Sequence, residues 1–442
     1  MLSTNQYIKP LTTCINENGN LSIGGCDLVD LAQKYETPLY VIDEKTLRTI
    51  CKEYKQAFSS YERVKMLYAS KALMTKAVAK IVNSEGFGFD AVSGGELYTI
   101  NKTGIDMSCV LFNGNNKSYD ELDMALELGV GRISVDNFLE LSLLNEIAKK
   151  HNKKVDILLR ITPGIECHTH EYIQTGNLDS KFGFDLSQIH DAIELVLEQY
   201  PNINLKGFHT HVGSQIFETQ IFEDEIDILI KEIVYVKEKF NILLDEINIG
   251  GGLGVKYIPT DLPPSVFEIG ELVINALNKS IKKHNIPAPL LYLEPGRSII
   301  STAGVTLYTV GSSKQVPNGT LYWSVDGGMA DNPRPSMYQA EYTAQIANKP
   351  EQDCSQKVTI AGKFCESGDI LIKDINLPEL EEGDILCVFN TGAYNYSMAS
   401  NYNRFQKPAA ALVNNSQSDM IIIRESLDDL LSHDVLPARL DK

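Results

Sequence analysis

The stretch VKMLYASKALMTKAVAKIVNSEGFGFDAV, Val64–Val92, decides the fold. It opens on an apolar run, Val64–Ala69, and passes through Thr75–Ser84, where apolar residues recur at helical spacing. It closes on a second apolar run, Phe87–Val92, so it reads as one strand–helix–strand unit. The same alternation extends from near Thr37 to near Ser301. Further strand-like runs are Cys109–Asn113, Arg132–Val135, Val155–Ile161, Leu205–His211, Glu246–Ile249 and Leu290–Glu294. Helix-like segments lie between them, at Tyr119–Leu128, Leu139–Lys150, Leu186–Glu198, Asp224–Lys239 and Val266–Lys283. Eight strands, seven of them followed by a helix, fit a parallel (β/α)8 TIM-type barrel of ~250 residues. The alternative, a doubly wound open sheet, usually has fewer strands.

After Ser301 the rhythm changes. Val305–Val310, Leu321–Val325, Lys357–Ile360, Ile370–Ile372 and Ile385–Phe389 are short runs separated by Gly, Pro, Asn and Asp. They predict a C-terminal, mainly β domain. Strand-like Leu21–Ile23 is expected to join it, which divides the chain into a barrel at 36–300 and a β-rich domain made of 1–35 and 301–442.

Composition narrows the function. With 43% hydrophobic and 22% charged residues, the 442-residue chain belongs among soluble globular proteins rather than disordered ones. Its formal charge of −18 repels phosphate backbones and anionic lipid, so no nucleic-acid or membrane partner is expected. No apolar run reaches the roughly 18 residues that span a bilayer, and the start lacks a basic-then-apolar leader. Eight scattered cysteines without a CxxC read as reduced thiols, which predicts a cytoplasmic protein.

In a barrel, chemistry gathers where strands end. Lys71, in YASKAL, follows the first strand and could present a partly desolvated amine, although most such lysines are simply solvated. GGGLG at Gly250–Gly254 follows the seventh strand, where glycine N–H groups can approach an anion; a tight turn would need glycines too. HTHVGSQ, His209–Gln215, ends the sixth strand. Its two histidines are either a metal pair, core residues, or one imidazole lying against a flat ligand, with Ser214 as a hydroxyl donor. EPGR, Glu294–Arg297, ends the eighth strand as an ion pair or as two groups serving one ligand, and Gly296 lies within it. Asp90, Ser93 and Glu96 share the rim. CHTHE, Cys167–Glu171, has the composition of a metal cluster but reads as a solvated loop. An amine, a phosphate cradle, a flat imidazole and an acid for a ring nitrogen are together what pyridoxal 5'-phosphate requires.

YASKAL, FGFDAVSGGE, SKFGFD, HTHVGSQ, GGGLG, EPGR, GGMADNPRP, CESGD and GAY occur in that order over nearly the whole chain. In them the sequence resembles the fold type III, alanine-racemase-like pyridoxal-phosphate decarboxylases, and among these the diaminopimelate-decarboxylating branch. The resemblance implies that Lys71 holds the cofactor covalently and that His211 stacks on its ring. Asp90, Ser214, Gly250, Gly251, Gly252, Gly296 and Arg297 would also contact it, with Glu294 on the ring nitrogen. It implies further that Arg297, Arg334 and Tyr338 hold the substrate's distal carboxylate and that Glu366 accepts its distal ammonium. Tyr394 would lie near both phosphate and substrate, and Cys365 would donate the proton. The implied reaction converts meso-2,6-diaminopimelate to L-lysine and CO2, the last step of lysine biosynthesis, in a homodimer whose Cys365–Glu366 loop serves the neighbouring subunit's site. The alternatives are a relative acting on arginine, ornithine or a carboxylated polyamine, a metal-dependent barrel hydrolase using His209 and His211, and a non-catalytic relative.

Overall fold

A computed structural model describes residues 2–164, 181–317 and 319–441. Eight parallel strands form the first unit: β1 (Val64–Ala69), β2 (Gly88–Ala91), β3 (Val110–Phe112), β4 (Arg132–Val135), β5 (Val155–Thr162), β6 (Ile203–His209), β7 (Glu246–Asn248) and β8 (Leu290–Leu293). Each pairs with the next, and β8 pairs with β1 through Leu291↔Val64 and Leu293↔Met66, so the sheet closes into a barrel. Closure leaves no free edge and excludes the open-sheet alternative. Leu67, Leu111, Leu158 and Tyr292 pack together inside.

Helices α1 (Lys76–Ser84), α2 (Gly94–Asn101), α3 (Tyr119–Leu128), α4 (Phe138–Lys150), α5 (Ile189–Gln199), α6 (Gln220–Phe240) and α7 (Val266–His284) follow β1 to β7 in turn. Their starts are written in the sequence. Thr75 and Asn137 accept hydrogen bonds from Val78 and Glu140 N–H, while Ser118 and Ser265 form capping boxes with Glu121 and Glu268. In α3 the other end is set by Gly129, in the left-handed region at φ 75°, where a side chain would be strained.

The second unit is β-rich, with β9 (Gly304–Gln315), β10 (Leu321–Val325), β11 (Ala344–Ile346), β12 (Gln356–Ala361), β13 (Ile370–Leu377), β14 (Ile385–Phe389), β15 (Ala409–Asn414) and β16 (Gln417–Ile422). The main path runs β13–β12–β10–β9, then the strand Leu39–Asp43, then β15–β16; β14 pairs with β9 and β11. Leu39, Val41, Val305, Leu307, Cys387, Phe389 and Ala411 form its core with Leu21 and Ile23.

The domain limits need correcting at both ends of the N-terminal segment. Leu39–Asp43, expected inside the barrel range, belongs to the β-rich unit, which comprises 8–46, 257–259 and 301–442. All five of its residues are buried, and it is hydrogen-bonded on both edges, antiparallel to Gly304–Leu307 and parallel to Ala409–Val413. Residues 1–7, expected in the β-rich domain, cluster with the barrel. The Ser3 hydroxyl accepts from Val266 N–H at the start of α7, and Asn5 Nδ2 donates to the carbonyls of Gly254 and Pro264. Leu21–Ile23 sits in the expected unit but pairs with Cys14–Ile15 and Cys26–Asp27 in a small sheet of its own.

A buried ion pair ties the loop after β3 to β4 and α4. Lys117 Nζ donates to Glu140 Oε1 at 2.6 Å and to the carbonyls of Ser134 and Gly114 at 2.7 Å, with both charged side chains almost fully enclosed. Lys117→Met leaves Glu140 buried and unpaired, so urea titration is expected to show a loss of about 3–5 kcal/mol. Adding Glu140→Leu should recover most of it. An unchanged midpoint in the single variant would contradict this account.

Candidate active site

Seven of the eight strands deliver the side chains of the barrel mouth described next. Lys71 leaves the short 3-10 turn Ser70–Ala72 after β1, and its Nζ lies 3.2 Å from Asp90 Oδ2 on β2. Asn113, just past β3, donates to Asp90 Oδ1 at 2.6 Å and to Glu294 Oε1 at 3.0 Å. Asn248, at the end of β7, donates to the same Glu294 oxygen at 2.7 Å. His209, ending β6, brings Nε2 to 3.5 Å from Glu294 Oε2, and its Nδ1 is 2.7 Å from Ser134 Oγ on β4. Asp90, His209, Asn248 and Glu294 are all buried.

Two carboxyl groups in one buried cluster cannot both ionise freely, and the surroundings separate them. Burial raises both. For Glu294 the opposing pull of His209, Lys71 and Asn248 prevails and holds the group well below the usual carboxylate range. For Asp90 burial and the charge of Glu294 prevail over Lys71 and Asn113, and its pKa is raised. Glu294 is therefore the fixed anion of the mouth. His211 is driven well below an ordinary imidazole by burial and by Lys71 and Arg160, which leaves a neutral ring. Its Nδ1 accepts Gly251 N–H at 3.3 Å, which puts the remaining proton on Nε2.

The glycines leave room beside that ring. Gly250 and Gly252 hold φ of +63° and +112°, which side chains rarely adopt, and a Cβ on them would lie 2.7 Å from His211 Nδ1 and 2.6 Å from Gly213 O. Side chains at Gly251 and Gly296 would collide with Glu294 O and Ala69 Cβ. Arg297 is buried and its Nη2 donates to Ser214 Oγ at 3.0 Å. A guanidinium, a hydroxyl and a bare glycine cradle at one end, with an ionised carboxylate and a primary amine in the same mouth, fit the phosphate, ring nitrogen and aldehyde of pyridoxal phosphate.

The other expected residues lie in the β-rich unit. Arg334, only 8% exposed, donates Nε–H to Tyr342 OH at 2.9 Å. Its guanidinium lies 5.6–5.8 Å from the ring centroids of Tyr257, Tyr338 and Tyr394. Among the described residues no carboxylate pairs with it, so the buried cation is held by one hydroxyl and by ring faces. Cys365 and Glu366 are exposed, and Cys365 N–H donates to Asn403 Oδ1 at 2.9 Å.

Some expectations change. Ser93 and Glu96 are taken up by helix capping: Ser93 Oγ accepts Glu96 N–H, and Glu96 Oε2 accepts Val92 N–H, burial pushing that carboxyl up to about 7. His209 and His211 join no three-ligand metal cluster among the described residues. The cluster found, Asp123, Glu127 and His151, is elsewhere, and Lys150 already pairs with Asp123. CHTHE lies outside the described residues. Asn113, Asn248, Ser134 and Arg160 were not anticipated. Arg160 is buried on β5, 3.7 Å from Asp136 and over the ring of Phe182. Its signal was an arginine set between apolar neighbours in the strand-like run VDILLRIT.

Comparison with known proteins agrees with this geometry. The family described as pyridoxal-dependent decarboxylase, pyridoxal binding domain, matches residues 46–301. Diaminopimelate decarboxylase of Synechocystis is 48% identical over 99% of this chain and 95% of its own length. The Bacillus subtilis enzyme of that name is 47% identical, covering 95% of this chain and 96% of its own. A crystal structure of M. jannaschii diaminopimelate decarboxylase with L-lysine superposes with a TM-score of 0.92 at 34% identity, over 98% of this chain and all of that one. Matches of this extent, over a closed barrel with a lysine and a carboxylate at its mouth, mean that the chain belongs to the diaminopimelate decarboxylases, within the fold type III pyridoxal-dependent decarboxylases.

Proposed function

We propose that this protein releases CO2 from meso-2,6-diaminopimelate to yield L-lysine, with pyridoxal 5'-phosphate held at the barrel mouth. The observation that carries this reading is the joint presence of the Lys71 amine, the Arg297–Ser214–glycine cradle and an ionised Glu294 in one buried mouth. Bound there, the cofactor supplies an electron-withdrawing ring that accepts the pair left behind by CO2. Lys71 would tether it, Glu294 would keep its ring nitrogen protonated, and the neutral His211 ring would lie against its face. Arg297, Ser214, Gly250, Gly251, Gly252 and Gly296 would surround its phosphate, and Asp90 holds Lys71.

Selectivity comes from the substrate's far end. Arg334, with Tyr338 and Arg297, takes the distal carboxylate, Glu366 takes the distal ammonium, and Tyr394 lies by substrate and phosphate. The buried guanidinium, without an acid partner among the described residues, supports this role for Arg334, since an anion completes its solvation. A substrate lacking that head leaves these groups unpaired, which discriminates by on the order of 10⁴-fold. Cys365 protonates the carbon that loses CO2. Because Cys365 and Glu366 are exposed in the single chain, they are suited to reach another subunit's mouth, and the working unit is a homodimer with shared sites. The seven described cysteines are free, in keeping with a cytoplasmic enzyme. No helix among the described residues is long and apolar enough to cross a membrane.

The test is a substrate panel with lysine and CO2 measured. Diaminopimelate should be the preferred substrate, and preference for lysine, arginine or ornithine would overturn the assignment. Arg334→Met should lower kcat/KM for diaminopimelate by about 10²-fold while the visible spectrum of bound cofactor persists.

Lys71→Ala should lose that spectrum and nearly all turnover, whereas Cys365→Ala should keep it and lose roughly 10²–10⁴-fold in kcat. Mixing the two inactive proteins should restore part of the activity through hybrid dimers. Absence of any recovery argues against a site shared between subunits.

A further inference from the structure

Cys365, Glu366, Ser367 and Gly368 form an exposed turn whose flanking residues, Phe364 and Asp369, are both buried. Phe364 packs edge-on against Phe405 at 5.1 Å. Asp369 is 3% exposed, and no Lys, Arg or His pairs with it among the described residues. Its two carboxylate oxygens instead serve two different loops. Oδ1 accepts Met329 N–H at 2.7 Å, in the segment that leads to Arg334. Oδ2 accepts Phe364 N–H at 2.8 Å, one residue before Cys365.

The space around this carboxylate is cut to fit it. A Cβ at Gly328 would lie 2.5 Å from Oδ1, and one at Gly362 would lie 2.1 Å from Oδ2. Backbone bonds close the turn on the same residue: Gly362 N–H donates to Asp369 O at 2.9 Å, and Asp369 N–H donates to Glu366 O at 3.1 Å. Two further ties join the loops, Lys363 N–H to Gly327 O at 3.0 Å and Ser336 Oγ to Gly368 O at 2.8 Å. A carboxylate can accept on both oxygens at once, whereas the isosteric amide would turn an NH2 toward one of the two N–H donors.

We propose that Asp369 is a positioning residue, a single buried carboxylate that locks the Arg334 loop to the Cys365–Glu366 turn so that the distal-head cation and the proton donor are held as one body. This rests on the decarboxylase reading above, which assigns Arg334, Glu366 and Cys365 their roles. It adds that the pose of both segments, the Arg334 loop and the turn lent to the neighbouring subunit, is set by one side chain that touches no substrate.

The test compares holoenzyme carrying Asp369→Asn with wild type and with a control, Asp384→Asn. Asp384 is equally buried in the same unit and accepts from Asn348 Nδ2, Lys349 Nζ and Glu381 N–H at 2.8–2.9 Å, so it reports loss of buried polar contacts, an ion pair included, away from the two loops. Measured are kcat and KM for meso-diaminopimelate, the cofactor spectrum, the thermal midpoint, and the alkylation rate of Cys365 by iodoacetamide, read by peptide mass. Asp369→Asn should raise KM and lower kcat, together about 10- to 100-fold in kcat/KM, with the spectrum unchanged and Cys365 alkylation altered severalfold. Asp384→Asn should lower the midpoint with kinetics within about twofold of wild type. Wild-type kinetics and wild-type alkylation in Asp369→Asn would overturn the proposal, as would an equal kinetic loss in Asp384→Asn. If Asp369→Asn does not fold, Gly362→Ala, which presses a methyl group on the same carboxylate, should give the same pattern, and wild-type behaviour there would overturn the proposal. Failure of the decarboxylase reading looks different: wild type itself would release no CO2, while Cys365 alkylation would still respond to the clamp.

Discussion

A buried negative charge at the barrel mouth has to be solvated by protein, and Glu294 is where that demand falls. Removing a carboxylate from water costs several kcal/mol even after relaxation, and only well-aimed donors repay it. Here Asn113 and Asn248 donate to one oxygen and His209 approaches the other. These side chains come from the ends of β3, β7 and β6, so the charge is stable only if the barrel closes with its strands in this register. Asp90 and Lys71 are drawn into the same network through Asn113 and the Lys71–Asp90 contact. Closure, protonation state and the placement of the reactive amine are thus one problem with one solution.

The β-rich unit holds a buried charge of the opposite sign, handled differently. Among the described residues Arg334 is stabilised by the Tyr342 hydroxyl and by ring faces, not by a carboxylate. An acid partner would neutralise it; aromatic faces offer partial compensation and leave the charge available to an anion. One unit therefore fixes an anion with amide donors, and the other keeps a cation with phenols.

Much of this was legible along the chain because local chemistry and the final structure agree. Tyr119–Leu128 is helical over the range its periodicity predicts because Ser118 and Glu121 cap its start and Gly129 ends it. Arg132–Val135 and Leu321–Val325 are strands over their expected ranges. The helix expected after the second strand had no bounds assigned to it, since two glycines at the start of Gly94–Asn101 mask a helix that Ser93 caps. Leu39–Asp43 fell inside the expected barrel range with no strand assigned to it, and it is a strand of the β-rich unit. Period and apolarity report that a segment is extended and buried, and they carry no information about which sheet supplies its hydrogen-bond partners.

The site divides along the same line. Lys71, Ser214, the glycines, Glu294 and Arg297 could be picked out because strand-end position and unusual local composition mark them one by one. Asn113, Asn248, Ser134 and Arg160 could not, because an amide or hydroxyl at a strand end acquires meaning only when a charge from a distant strand is folded against it. The sequence by itself determined the alternation of strands and helices, the caps that begin and end them, and the reactive groups at the strand ends. Only the tertiary structure decided which carboxylate stays ionised, which imidazole stays neutral and which buried oxygens hold two loops together, because each of those depends on desolvation and on distances between residues far apart in the chain.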